Sequence, residues 1–142
     1  MRKKVSALLG LCVALFLLAS LSACGHAQQL VSITIVPNVE TFGGAGIPVI
    51  ANKGAQVQLR ALGSYIHPPV TKDITTQVTW TSNTPGMVTV DAAGLITATG
   101  NACGGTIISA TVTTNRSTGD ISSKGAIITG TMQANVTCFT GQ

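Results

Sequence analysis

Trp80-Thr81-Ser82-Asn83-Thr84-Pro85-Gly86-Met87-Val88-Thr89-Val90-Asp91-Ala92-Ala93-Gly94-Leu95-Ile96-Thr97-Ala98 is the stretch on which the fold turns. Val78 and Trp80 alternate with Thr79 and Thr81, which is the period of two expected of a strand with one buried face. Residues 87–90 and 95–99 are two short runs rich in β-branched side chains, separated by Asp91-Ala92-Ala93-Gly94. In such a connection Asp caps the turn through its carboxylate and Gly supplies the positive φ, so the two runs predict a hairpin.

Moving outward, the same period recurs. Val31, Ile33 and Ile35 alternate with Ser32 and Thr34 until Pro37 removes a donor and ends a first strand. Residues 42–54 are glycine-rich and irregular, with a short edge strand expected at 49–51. Val57, Leu59 and Ala61 face one way while Gln56, Gln58 and Arg60 face the other, a strand with one wet side. Residues 63–75 read as a longer polar connection containing Pro68 and Pro69. Ile108, Ala110 and Val112 form one apolar face near the C-terminus; Ile128, Met132, Ala134 and Val136 form another, with polar 115–125 between them. No window places apolar residues at helical spacing. The expectation is an all-β chain of about seven strands forming one domain over 31–142, with Val57, Leu59, Val78, Trp80, Val88, Val90, Ile108, Ala110 and Val112 in its core.

Ahead of that domain lies a segment of different character. Arg2, Lys3 and Lys4 precede an apolar run over 5–21, the charged and hydrophobic regions of an export signal. Leu21-Ser22-Ala23-Cys24 then resembles a bacterial lipobox. That resemblance implies diacylglyceryl attachment to the Cys24 thiol, cleavage after Ala23 and acylation of the new N-terminus. Residues 1–23 would be the signal peptide and 24–30 the acylated cysteine with a short polar tether. Gly25, in place of Asp, is compatible by analogy with sorting to the outer membrane. Two other readings stay open. An uncleaved anchor would have to use a run that is marginal beside the ~20 residues of a spanning helix. Ordinary signal-peptidase cleavage after Ala27 would leave Cys24 in the discarded piece without a role.

Four cysteines are thereby sorted: Cys12 falls in the signal and Cys24 carries lipid, leaving Cys103 and Cys138 as an even pair in an oxidising compartment. They are expected to be bridged. Zinc is the competing use, but no two cysteines show CxxC spacing, and His26 and His67 lie far apart, so no metal site is expected. Paired positions in an antiparallel ladder have a constant sum, and the 103–138 pair centres between Asp120 and Ile121, placing the bridge at the open end of the last hairpin. Its sum is odd, whereas the two even-numbered apolar faces need an even one. A bulge at Gly104-Gly105, or Cys103 lying before the strand, would absorb the difference.

The formal charge of +4 does not mark a nucleic-acid protein. Three of the eight basic residues are Arg2, Lys3 and Lys4; Lys53, Arg60, Lys72, Arg116 and Lys124 face Glu40, Asp73, Asp91 and Asp120, a near balance without the clustering that phosphate neutralisation needs. Catalysis has little to draw on beyond two histidines and four carboxylates, and GxSxG, HExxH, phosphate-loop and EF-hand spacings are absent. His26 and His67 read as solvated loop residues, Asp91 as a turn former, and Asp73 and Asp120 as loop residues. Trp80 could stack on a sugar, but its place beside Val78 on an inward face reads as core. Tyr65 reads as exposed. No catalytic residue and no cofactor is expected.

Taken together, these residues resemble the bacterial immunoglobulin-like domain of group 2. The resemblance rests on Ser32-Ile33-Thr34 with Pro37, Gln58-Leu59 with Ala61, Asp73-Ile74-Thr75, Val78-Thr79-Trp80-Thr81-Ser82, Pro85, Val88, Val90-Asp91, Gly94-Leu95, Thr97-Ala98, and Gly105-Thr106 with Ile108, Ala110 and Thr111. It covers nearly all of the mature chain and is most specific from Trp80 to Ala98. It implies an immunoglobulin-like two-sheet β-sandwich of the kind found in bacterial surface and adhesin-type proteins, usually as one module of several. The implied role is an envelope-anchored, non-catalytic structural or protein-interaction module, attached to the membrane by its lipid and meeting an envelope protein; surface adhesion or glycan binding is the alternative. By the immunoglobulin-like strand order, 63–75 and 115–125 are expected at the tether end, with the Cys103–Cys138 bridge at the other.

Overall fold

A computed structural model describes residues 28–44, 52–115, 121 and 125–138. The signal segment, Cys24 and most of the tether, and the edge strand expected at 49–51, lie outside these residues. Among the described residues ten strands are formed: β1 (Gln29–Val36), β2 (Val39–Phe42), β3 (Gln56–Gln58), β4 (Arg60–Ile66), β5 (Val70–Asp73), β6 (Thr79–Ser82), β7 (Val88–Val90), β8 (Leu95–Ala98), β9 (Gly104–Thr114) and β10 (Ala126–Val136).

One layer is the four-stranded sheet β2-β10-β9-β6. The facing layer is made of two three-stranded sheets, β1-β4-β5 and β3-β8-β7, which share one chain through Leu59. Leu59 leaves the ladder but keeps its amide paired, donating to Gly94 O at 2.9 Å. The core between the layers is aliphatic, with Leu59, Val88, Ile96, Ile108, Ala110 and Ala134 fully buried and Val78, Trp80 and Val112 nearly so.

The strand count exceeds the expected seven for three local reasons. Pro37 divides the first strand into β1 and β2, which join opposite layers: β1 pairs antiparallel with β4, and β2 pairs parallel with β10. Leu59 divides the second into β3 and β4. The third is a correction: 63–75 is not a loop, because β4 runs on to Ile66 and returns as β5, pairing Leu62 with Asp73 and Tyr65 with Val70. His67, at φ 63°, and the two prolines form only the hairpin tip.

Three further positions depart from the sequence reading. A register shift between Leu30 and Ser32 turns Val31 outward and buries Leu30, so the inward set of β1 is Leu30, Ile33 and Ile35. The strand therefore begins inside the stretch read as tether. Val57 and Val90, expected in the core, are only half-buried. Both pair with the fully buried Ile96 from either side, on strands of three residues, and so pack against the core from the rims of a narrow sheet.

The 87–99 hairpin has the expected turn chemistry. Asp91 Oδ1 accepts the amides of Ala93 and Leu95, each at 2.9 Å, and Gly94 has φ +81°. A Cβ at Gly94 would also stand 3.0 Å from Trp80 Cζ2, so this glycine serves close packing as well as the turn.

Candidate interaction surface

β9 and β10 form the longest ladder, eleven successive pairs from Thr114 with Ala126 to Gly104 with Val136. The pairing is unbulged and its sum even, as the apolar faces require. Cys103 and Cys138 are bridged with Cα atoms 5.1 Å apart, and both lie beyond the strand ends. The odd sum arises because Cys103 precedes the strand, and Gly104 turns the chain there with φ +123°.

Because the even positions of β9 and β10 face the core, the odd ones form the outer surface. In register across β6, β9 and β10 lie Thr79, Thr111 and Thr129; beside them lie Thr81, Ser109 and Thr131. The Thr111 and Thr129 hydroxyls are 3.1 Å apart and hydrogen-bonded. Ile107 and Gln133 form the next row, which continues through Val39 on β2. Gln133 Nε2 donates to Asn135 Oδ1 at 3.0 Å. Across these four strands no outward side chain is charged.

A shallow groove of about 620 Å³ crosses the end of this face, between Asn38, Val39, Asn83, Ile107 and Gln133. Gly105 lines it, and a Cβ there would come within 3.3 Å of Asn135 Oδ1. The exposed rims, amide and aliphatic in alternation, can hydrogen-bond and exclude water.

The remaining candidate residues have structural partners. Trp80 is buried and donates from Nε1 to Thr75 O at 2.9 Å, so its ring is core rather than a stacking platform. Tyr65, expected to be exposed, is half-buried on β4, with Lys72 Nζ 4.8 Å from its ring centre. Asp73 ends β5 and is held well below the usual carboxylate range, at about 2. The hydroxyl and then the backbone N–H of Thr75 stabilise its charge, and Arg60, at 2.9 Å, adds to them. Thr75 in turn accepts the Ala61 amide at 3.0 Å, so this cluster fastens the β5–β6 connection to β4. Among the described residues, no three His, Cys, Asp or Glu side chains come together as metal ligands.

A second cavity, of about 360 Å³, lies at the tether end, where Gln28, Tyr65, Lys72 and Ile121 meet. Lys72 donates to Gln28 Oε1, and Gln28 Nε2 donates to Pro68 O at 3.4 Å. The start of the described chain, the β4–β5 hairpin and Ile121 thus share one end of the sandwich; the rest of the 115–125 stretch expected there lies mostly outside the described residues.

Comparison with curated proteins finds no match. The family model of the bacterial Ig-like domain (group 2) matches residues 32–122, which takes in most of β1 and all of β2 to β9 and stops before β10. Such domains occur in bacterial surface-exposed proteins. With that match spanning most of the sequence and the strands arranged in two facing layers, the chain belongs to the bacterial Ig-like domain family, group 2.

Proposed function

We propose that the chain is an exported lipoprotein of the bacterial envelope, acylated at Cys24 and sorted to the outer membrane, whose Ig-like module is non-catalytic and holds a partner protein. The carrying observation is the outer face of β2-β10-β9-β6: an uncharged sheet of Thr, Ser, Gln and Asn with exposed Val39, Ile107 and Ile127. Depletion of charge with retained aliphatic area is the composition of a protein contact. Glycan binding, the alternative, generally leans on an exposed ring, and Trp80 is internal while Tyr65 packs with Lys72.

Two measurements test this. Mass spectrometry of the membrane fraction is expected to yield a peptide beginning at Cys24 with acyl mass, and a soluble product beginning at Gln28 would reject the anchor. A photo-reactive residue in place of Thr131, on the outer face, is expected to cross-link a protein in intact cells, whereas the same residue in place of Thr71 on β5 is not. Equal yields from both positions would reject the surface.

A further inference from the structure

The apolar side chains on the outer face are arranged symmetrically about one strand. Gln133 of β10 pairs with Val39 of β2 on one side and with Ile107 of β9 on the other, so Val39, Gln133 and Ile107 lie in one row with the amide in the middle. Val39 is 51% and Ile107 48% exposed. Further along β10 itself is Ile127, 70% exposed. From this pattern we infer that the outer face is a two-fold self-association surface, with a second copy of the chain packed on it about an axis running along β10. The inference rests on the interaction-module reading and names its partner.

A two-fold contact is self-complementary: if residue i meets residue j, then j meets i. An axis along β10 lays β10 on β10 and sets β2 of each copy over β9 of the other. Val39 then meets Ile107 of the second copy, and Ile107 meets its Val39, in the same row. Gln133 meets Gln133, whose amides offer both donor and acceptor. Ile127 meets Ile127. An axis between β9 and β10 would instead set Ile107 against Gln133 and Ile127 against Thr113, leaving every aliphatic group opposite a polar one.

The absence of charge fits a second copy as well. Like charges brought together across an interface oppose association; the face carries none on its outward positions. An axis along β10 lays β10 on β10 and β2 on β9 while leaving β6 uncovered, a projected overlap on the order of 300 Å² for strands about 4.8 Å apart and rising about 3.4 Å per residue. Accessible area exceeds projection, which puts the contact at the small, weak end of specific interfaces. The axis direction also suits anchored chains. An axis along the strands keeps both tether ends on the same side, so two chains held at one membrane can meet without either turning over.

The experiment uses the full mature chain purified in detergent, with its mass followed by sedimentation against concentration. A dimer is expected. Ile107→Lys and Val39→Glu, each placing a charge against an aliphatic group, are expected to weaken it at least about tenfold. The double variant is expected to recover most of the loss, because each Lys then faces the Glu of the other copy. Circular dichroism and an intact disulfide check that these exposed substitutions leave the fold alone. A chain that stays monomeric at every concentration, a dimer indifferent to both single changes, or single losses without recovery in the double variant would each overturn the inference. If the chain is monomeric but cross-linking from Thr131 captures another envelope protein and Ile107→Lys abolishes that product, self-association falls and the interaction-module reading stands. If cross-linking captures a polysaccharide, or nothing, both fall.

Discussion

Gly130 of β10 lies against the backbone carbonyl of Ile33 in β1: a Cβ there would stand 2.5 Å from that oxygen and 2.9 Å from Ile33 Cγ2. β1 belongs to one layer and β10 to the other, so this contact closes the sandwich where the chain is about to cross over through Pro37. Gly130→Ala must push backbone against backbone, and overpacking of that kind typically costs about 1–3 kcal/mol. A fall in melting temperature is expected, about 4 °C for each kcal/mol in a domain of this size. Gly86→Ala is the control, since nothing lies within 4 Å of its added methyl. Equal melting of the two variants would mean that β1 does not approach β10 as described.

Asp73 sets an acid limit. Its carboxyl is lowered from 3.8 to about 2 by Thr75 and Arg60, so the folded chain holds that proton less tightly than the unfolded chain does. Falling pH therefore favours unfolding: the contribution is complete above about pH 4 and is lost progressively toward pH 2. Denaturant titrations across that range are expected to show wild type losing stability more steeply than Asp73→Asn. Parallel curves would count against the cluster. The carboxylate is solvent-exposed, so the diagnostic is the difference in slope.

The bridge between Cys103 and Cys138 closes 35 residues around the β9–β10 hairpin. Loop-closure entropy values such a link at roughly 4 kcal/mol. The Cys103→Ala/Cys138→Ala variant is expected to melt about 15 °C lower or more, with its loss concentrated in the unfolding free energy rather than in the shape of the folded state. Modification of both cysteines by a thiol reagent in unreduced, denatured protein would disprove the pairing.

How much of this was legible in the sequence depended on the range of the interactions. The 87–99 hairpin was readable because Asp91 and Gly94 act on their own neighbours. For β9–β10 parity required only an even pair sum, since both apolar faces fall on even numbers; which even sum, and that Cys103 precedes the strand, came from the ladder itself. The β4–β5 hairpin was hidden: its strands are polar, half-exposed and tipped by two prolines, and what holds them is pairing with β1, whose residues are some thirty positions away. Gly63 looks like a loop residue, yet a Cβ there would strike Leu30 Cδ1 at 2.8 Å and Ile74 Cδ1 at 2.9 Å. The symmetry of the outer face was equally invisible. It exists only because β2 pairs in parallel with β10 almost a hundred residues later, bringing Val39 level with Ile107.

The orientation of the domain on its membrane gives the last prediction. With Cys24 acylated as proposed, three residues separate the anchor from Gln28, and the four Cα steps reach at most about 14 Å. Gln28 is tied to Lys72 and to Pro68 O, so the anchor leaves the domain at the tip of the β4–β5 hairpin. The bridged cysteines lie beyond the far end of the β9–β10 ladder, whose eleven pairs span roughly 35 Å. The tip over 67–70 and the cavity around Tyr65 should therefore face the bilayer, while the cysteine end and the outer face of β2-β10-β9-β6 stay open to a partner. Of Lys72, Arg116 and Lys124, the basic residues at this end by sequence, Lys72 is the one among the described residues, and Asp73 beside it and the Gln28 contact limit what it adds at anionic headgroups. Hydrogen exchange of the acylated chain in liposomes, compared with the tether-cleaved form, is expected to show added protection at 65–72 and none at 102–105. New protection around Cys103 with the β4–β5 hairpin unchanged would place the domain the other way up.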